Sequence, residues 1–214
     1  MPAATLLLLR AEPYSVLMAK RHAGMVFGPN HWVFPGGRID PADHAAAAAG
    51  PGDSGDVAAR YACLREAREE TGIDLHPDRF LAALVPFARW IAPAPTPRRF
   101  DTWFFIGEAE ENVHPVADGE EVVEAMFVEP AAMLERLSRG EVDLLPPTAL
   151  TVEWLAKAGS ASAAIELARA RSAPRVESEV FLRDGQPWIR LQPESGYDRL
   201  EYPSPVHAPG RRGS

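Results

Sequence analysis

Three glutamates stand at i, i+3 and i+4 in the segment Arg65-Glu66-Ala67-Arg68-Glu69-Glu70-Thr71-Gly72-Ile73. On a helix with Leu64 at 0°, Glu66, Glu69 and Glu70 fall at roughly 200°, 140° and 240°. They form one acidic fan. Like charges at this spacing repel by a few tenths of a kcal/mol, so the fan calls for a cation. Carboxylate oxygens suit hard divalent ions such as Mg²⁺, Mn²⁺ or Ca²⁺, and no His or Cys pattern of zinc type accompanies them. A solvated acidic face, salted by Arg60, Arg65 and Arg68, is the alternative that the spacing leaves open. Upstream, Pro35-Gly36-Gly37 offers backbone that can come close to a ligand, with carbonyls as further oxygen donors.

The element that must carry this fan is a helix over 56–71. Asp56 suits its N-cap and Gly72 sits where a C′ glycine belongs. Its apolar stripe is expected on Val57, Tyr61, Leu64, Arg68 and Thr71, with Ala67 at the edge and the glutamates opposite. Two Leu/Val-rich runs, 3–10 and 14–20, read as strands joined at Glu12-Pro13. Residues 32–40 start as a strand and stop at the Pro-Gly-Gly loop. Residues 45–55, rich in Ala, Gly, Asp and Ser, read as an exposed insertion. Further strands are expected at 80–90, 100–109 and 121–128. Helices are expected at 130–139, 147–158 and 161–171, with Pro147 in a first turn. Short strand pieces at 176–182 and 187–191 precede a Pro/Gly/Arg tail.

Composition bounds the function. Lys plus Arg is 22 and Asp plus Glu is 30 in 214 residues, a net charge of −8 that argues against a nucleic-acid polymer as partner. The 46% apolar content supports a real core. The 21 prolines exclude a protein built of long helices throughout. The single cysteine, Cys63, allows no intramolecular disulfide and reads as packing. No apolar run approaches the ~20 residues of a membrane span. A cytoplasmic protein that does not act at a membrane is expected. The histidines show no metal-ligand spacing. Trp90, Phe104 and Phe105 read as core.

These residues together resemble the Nudix hydrolase superfamily, whose signature is G-x5-E-x7-R-E-U-x-E-E-x-G-U with U aliphatic. Gly37 matches the first glycine. Arg65, Glu66, Ala67, Glu69, Glu70, Gly72 and Ile73 match the second half. There are two departures. Asp43 replaces the first glutamate, and 14 residues are inserted between it and Arg65. Extra loop length there is cheap, about 0.6 kcal/mol per doubling. Phe34–Asp43, Arg89-Trp90-Ile91, Pro97–Thr102 with Phe104-Phe105, and Leu145-Pro146-Pro147-Thr148 look like the branch containing the peroxisomal acyl-coenzyme A diphosphatase. Leu17–Arg21 with Phe34–Gly37 is similar in part to the motif of other coenzyme A-cleaving members.

The resemblance implies an α/β (α+β) Nudix fold, a mixed curved sheet between helices with extra C-terminal helices. The domain would span 1–172, with an insertion at 44–58 and a helical layer at 130–171 that is a candidate homodimer surface. Residues 173–214 would be a C-terminal extension, partly mobile. It implies Mg²⁺ or Mn²⁺ held by Glu66, Glu69, Glu70 and the Gly37 carbonyl. Glu66, or Glu121 in the loop Asp118-Gly-Glu-Glu121, would activate water, and Arg65 would orient Glu66. Arg98 and Arg99 are candidates for substrate phosphates. The expected substrate is a small-molecule diphosphate, coenzyme A or acyl-coenzyme A, cleaved to 3′,5′-ADP and (acyl-)phosphopantetheine. ADP-ribose, dinucleotides or nucleotide sugars are the alternative substrates. A non-catalytic nucleotide-binding module is the alternative of another class.

Overall fold

The computed structural model describes residues 1–49, 56–93, 99–110 and 112–203. The strands are β1 (Pro2–Arg10), β2 (Ser15–Arg21), β3 (Trp32–Val33), β4 (Gly36–Arg38), β5 (Val85–Ile91), β6 (Asp101–Glu108), β7 (Val122–Val128), β8 (Arg175–Arg183), β9 (Gln186–Leu191) and β10 (Glu201–Pro203). The helices are α1 (Pro41–Ala49), α2 (Val57–Thr71), α3 (Pro77–Ala83), α4 (Pro130–Ser138), α5 (Pro146–Ala158) and α6 (Ala161–Ala170). None of them is long and apolar enough to cross a membrane.

The Leu run of β1 explains the layering. A strand buried on both faces carries continuous apolar side chains instead of alternating ones. Leu6 and Leu8 pack with Leu17, Phe105 and helices α2 and α3. Leu7 and Leu9 face the other way and pack with Met133, Leu150, Val152, Leu155 and Ala164 of α4, α5 and α6. The sheet between these layers is mixed and runs β10-β9-β8-β5-β6-β1-β2-β3, with β4 also on β1 and β7 also on β2. Strands β1 and β6 are parallel, from Pro2↔Asp101 to Leu9↔Glu108. Strands β5 and β8 are also parallel, over Arg89↔Arg175 to Ile91↔Glu177. Trp90, Phe104 and Phe105 are buried, as their sequence context suggests.

Helix starts follow local chemistry. Proline opens α3, α4 and α5, and the Ser160 hydroxyl accepts the Ala163 N–H at 3.2 Å ahead of α6. Four expectations are corrected. Residues 77–83 form α3, so the strand expected at 80–90 is only Val85–Ile91; Pro77 and Asp78 were the helix-start signals, and a short apolar run does not distinguish the two states. The Pro-Gly-Gly stretch continues as strand β4, because Gly36, Gly37 and Arg38 pair with Thr5, Ala4 and Ala3. Helix α1, residues 41–49, takes in the start of the insertion expected to be exposed at 45–55, and it packs on α2. Residues 50–55 and the tail from 204 lie outside the described residues.

The fourth correction concerns the face that α2 buries. It hides Ala59, Ala62, Cys63, Leu64, Ala67, Glu70 and Thr71, while Arg68 is exposed and Val57 and Tyr61 are only half-buried. Small residues let the helix lie close to β1 on one side and α1 on the other. The rotation carries Glu70 out of the solvent-facing fan and into the boundary with the core.

Candidate active site

Helix α2 stops at Gly72, which is left-handed with φ 66° and donates its N–H to Arg68 O at 2.9 Å. Its last two turns hold the three glutamates in three different environments. Glu69 is open to solvent, with 58% of its side chain exposed. Glu66 is mostly covered, at 16%. Glu70 is buried, at 4%, and its Oε2 accepts the Gly36 N–H at 3.0 Å.

The two glycines of β4 let its backbone approach closely, Gly37 to the Glu66 carboxylate and Gly36 to β1. A Cβ at Gly37 would stand 2.3 Å from Glu66 Oε1, and one at Gly36 would stand 2.4 Å from the Ala4 carbonyl oxygen. Any side chain at Gly37 would fill the space the Glu66 carboxylate occupies. The backbone of β4 therefore lies directly against the acidic end of α2.

Arg65 ties the cluster together. Its Nε and Nη2 donate to Asp43 Oδ1 and Oδ2 at 3.1 and 3.0 Å, a bidentate fork. Its Nη1 donates to Glu66 Oε1 and Glu69 Oε2, both at 2.9 Å, and Nη2 also reaches the Arg38 carbonyl at 2.9 Å. The hydrogen bonds that Arg65 donates to Asp43 lead in raising the Arg65 pKa above its ordinary value. Asp43 is itself buried, and its Oδ2 accepts the Asp40 N–H at 2.8 Å. That contact is the returning half of a capping box at the start of α1. The first turn of α1, just before the insertion, thus carries the carboxylate that grips Arg65.

Burial raises the carboxyl pKa of Glu66, against the lowering effect of Arg65. Burial pushes Glu70 up to about 8; the Gly36 N–H and Arg21 oppose this, and the charges of Glu66 and Glu121 add to it. Glu121 stands immediately before β7, in a turn where Asp118 Oδ1 accepts its N–H at 2.8 Å. It acts on both Glu66 and Glu70, so the 118–121 loop and α2 meet in one electrostatic site. Arg99 is exposed, with its Nε on the Ala92 carbonyl at 2.8 Å and its own carbonyl on the chain's amino terminus at 2.6 Å. Arg98 lies outside the described residues. Cys63 is buried, and burial drives its thiol pKa up, away from reactive thiolate.

Among the described residues, no three His, Cys, Asp or Glu side chains stand together as a ready metal cage. The donor chemistry nevertheless fits a hard divalent cation. Every donor is oxygen, the buried Glu70 carboxylate has no cationic partner within ion-pair distance among the described residues, and the neighbouring acids resist ionising together. Arg21, at the end of the Leu17–Arg21 stretch that resembles the motif of coenzyme A-cleaving members, was not singled out as a site residue by its sequence context. It lies at the end of β2, pairs with Val122 beside Glu121, and faces Glu70 electrostatically. The available signal was a strand-end cation whose following segment leads back to Pro35-Gly36-Gly37.

A mixed sheet between helical layers, with an acidic helix end laid against a glycine strand, defines a class of hydrolase that works on phosphate anhydrides. The family model of the NUDIX domain matches residues 1–146, and the chain belongs to the Nudix family as a Nudix hydrolase. It is similar to a Nudix hydrolase from Alicyclobacillus acidocaldarius, with 26% identity and a TM-score of 0.67 over 77% of this chain and 95% of that one. It is also similar in fold to the Nudix domain of Shewanella oneidensis NrtR, solved in complex with ADP ribose, with 14% identity and a TM-score of 0.51 over 73% of this chain and 86% of that one. No curated protein matches the chain.

Proposed function

We propose that this Nudix hydrolase cleaves the diphosphate of coenzyme A or acyl-coenzyme A, giving 3′,5′-ADP and (acyl-)phosphopantetheine. The observation that carries the hydrolytic reading is the buried Glu70 carboxyl, pushed up to about 8 and crowded by Glu66 and Glu121. Such a group is stabilised in its charged form by a cation. Glu66, Glu69, Glu70 and the Gly37 carbonyl would hold Mg²⁺ or Mn²⁺. A divalent ion bound there supplies charge neutralisation at the phosphate oxygens and a more acidic water.

The chain's own residues then have separable tasks. Water attacks one phosphorus, forming a new P–O bond as the bridging P–O bond breaks. The water's proton passes to Glu66 or Glu121. Arg65 holds the Glu66 carboxylate in one orientation through its 2.9 Å hydrogen bond. Asp43 fixes Arg65 and stays clear of the reacting atoms.

The substrate choice is supported by the segments Phe34–Asp43, Arg89–Ile91, Pro97–Phe105 and Leu145–Thr148. The alternative substrates are ADP-ribose, dinucleotides and nucleotide sugars, in line with the ADP ribose bound by the Shewanella domain. Mass spectrometry of products from a substrate panel, with Mg²⁺ and with Mn²⁺, separates them. Fast cleavage of ADP-ribose without cleavage of coenzyme A would replace the first reading with the second.

A further inference from the structure

The candidate active site is rich in acids and has one fully engaged cation. Arg65 spends its donors on Asp43, Glu66, Glu69 and the Arg38 carbonyl. A diphosphate arriving there needs a positive group that is not already bound. Arg21 meets that need. Its Nε donates to the Phe27 carbonyl at 3.0 Å, which anchors the guanidinium. Among the described residues it makes no ion pair, and its terminal nitrogens donate no hydrogen bond. Its position is fixed beside the site by geometry: it pairs with Val122, and the N–H of the adjacent His22 donates to the Glu121 carbonyl at 2.8 Å.

The loop that holds Arg21 also exposes apolar surface. Val26 is 85% exposed and Phe27 48%. The Phe27 ring lies 6.0 Å from that of Phe100, tilted by 47°. Two loops, one after β2 and one before β6, thus meet through aromatic rings next to an uncommitted guanidinium. The other aromatic candidates are committed. Trp90, Phe104 and Phe105 are buried, and Trp103 stacks on Phe105 with Arg89 over its ring at 5.1 Å.

We propose that Arg21 and the Phe27–Phe100 pair form a substrate-binding rim in which Arg21 takes a phosphate and the rings take the nucleobase attached to it. The inference rests on the diphosphatase reading above and adds which residues recognise the leaving nucleotide. A guanidinium presents paired donors that match phosphate oxygens. A phenyl ring carries no hydrogen-bonding group, so it accepts the flat face of any base and does not read its edge.

Calorimetric titration of the full chain with two probes, ADP and inorganic diphosphate, each with Mg²⁺, tests this. Arg21→Gln should weaken both probes by about tenfold or more, and Arg21→Lys should restore part of the loss. The double variant Phe27→Ala/Phe100→Ala should weaken ADP by about tenfold and leave inorganic diphosphate within about twofold. Circular dichroism should show both variants folded, since Phe27 is exposed and Arg21 and Phe100 are only half-buried. Wild-type affinity for ADP in the double variant, wild-type affinity for either probe in Arg21→Gln, or no probe bound by the wild type would overturn the rim. So would a double variant that loses octanoyl-coenzyme A but keeps ADP. The expected binding pattern without hydrolysis of any diphosphate would instead overturn the functional reading and leave the rim standing.

Discussion

Arg65 and Arg171 are both drawn away from solvent, on opposite sides of the sheet, and their charges are met in opposite ways. Arg65 sits among Asp43, Glu66 and Glu69, with ion-pair distances of 2.9–3.0 Å. Arg171 sits among rings, with its guanidinium carbon 4.3, 5.3 and 5.2 Å from the centroids of Phe87, Trp154 and Tyr197. It has one hydrogen bond, from Nη2 to the Ser195 carbonyl at 3.2 Å, and its Nε and Nη1 are buried without a partner among the described residues. Burial raises nothing at Arg171; it lowers the pKa, whereas the carboxylates around Arg65 raise that one. The lesson is about exchange. Carboxylates that hold an arginine can also hold a metal ion, so the first cluster can be rearranged by a ligand. Aromatic faces offer an incoming cation far less. The second cluster packs the segment after α6 against the core, where Tyr197 and Tyr202 are buried. The first lies within the region matched to the Nudix domain, whereas the second, apart from Phe87, lies beyond it.

The sharpest break is expected at Glu70. Glu70→Gln should lower metal-stimulated turnover by at least about 100-fold, above the usual loss from an outer-shell partner, with an unchanged circular dichroism spectrum. Near-wild-type turnover would remove Glu70 from the site. The same substitution at the two arginines tests the contrast directly. Arg65→Met leaves Asp43 and Glu66 covered and unpaired, a loss of about 2 kcal/mol in urea unfolding that added Mg²⁺ should partly restore. Arg171→Met keeps the stem among the rings and removes an unpaired buried charge, so stability should change by less than about 1 kcal/mol, with no response to Mg²⁺. Equal responses at both positions would erase the distinction.

Asp43→Asn keeps its size but weakens both the fork on Arg65 and the α1 cap. A loss of about tenfold in turnover, with KM nearly unchanged, is expected in steady-state kinetics. A further expectation is a pH trend in the metal-free protein. Glu70 has its pKa raised from 4.5 to about 8 by burial. The folded state therefore holds a proton that the unfolded chain releases within that window. This contribution to stability is full below pH 4.5 and fades as pH rises through about 8. Unfolding midpoints measured with a chelator across that range should fall, and Glu70→Gln should flatten the fall.

Much of the site was legible because it is local. The spacing of Glu66, Glu69 and Glu70 follows from helical geometry, and Gly72 ends the helix by its own conformational freedom. Arg65 also bonds Glu66, its immediate neighbour, as its place in the signature implies. The environments of the three glutamates were not legible. Residues within one helical turn can be equally acidic and yet meet a strand, a neighbouring helix or water, and only packing decides which. The α3 segment was misread for a related reason: seven residues carry too short an apolar pattern to separate a helix from a strand.

The sequence by itself determined the Nudix chemistry, because a motif that works through one helix and one glycine pair is written in consecutive residues. Through the Nudix resemblance it implied a mixed sheet between helices, and it marked β1 as an apolar strand and Pro147 as belonging to the first turn of α5. Tertiary structure decided that Glu70 is the buried carboxyl, that Asp43 at the start of α1 supplies the grip on Arg65, and that Arg21 faces the acids beside Phe27. Each of these depends on contacts between segments distant in the chain, and burial and charge proximity exist only once those segments meet.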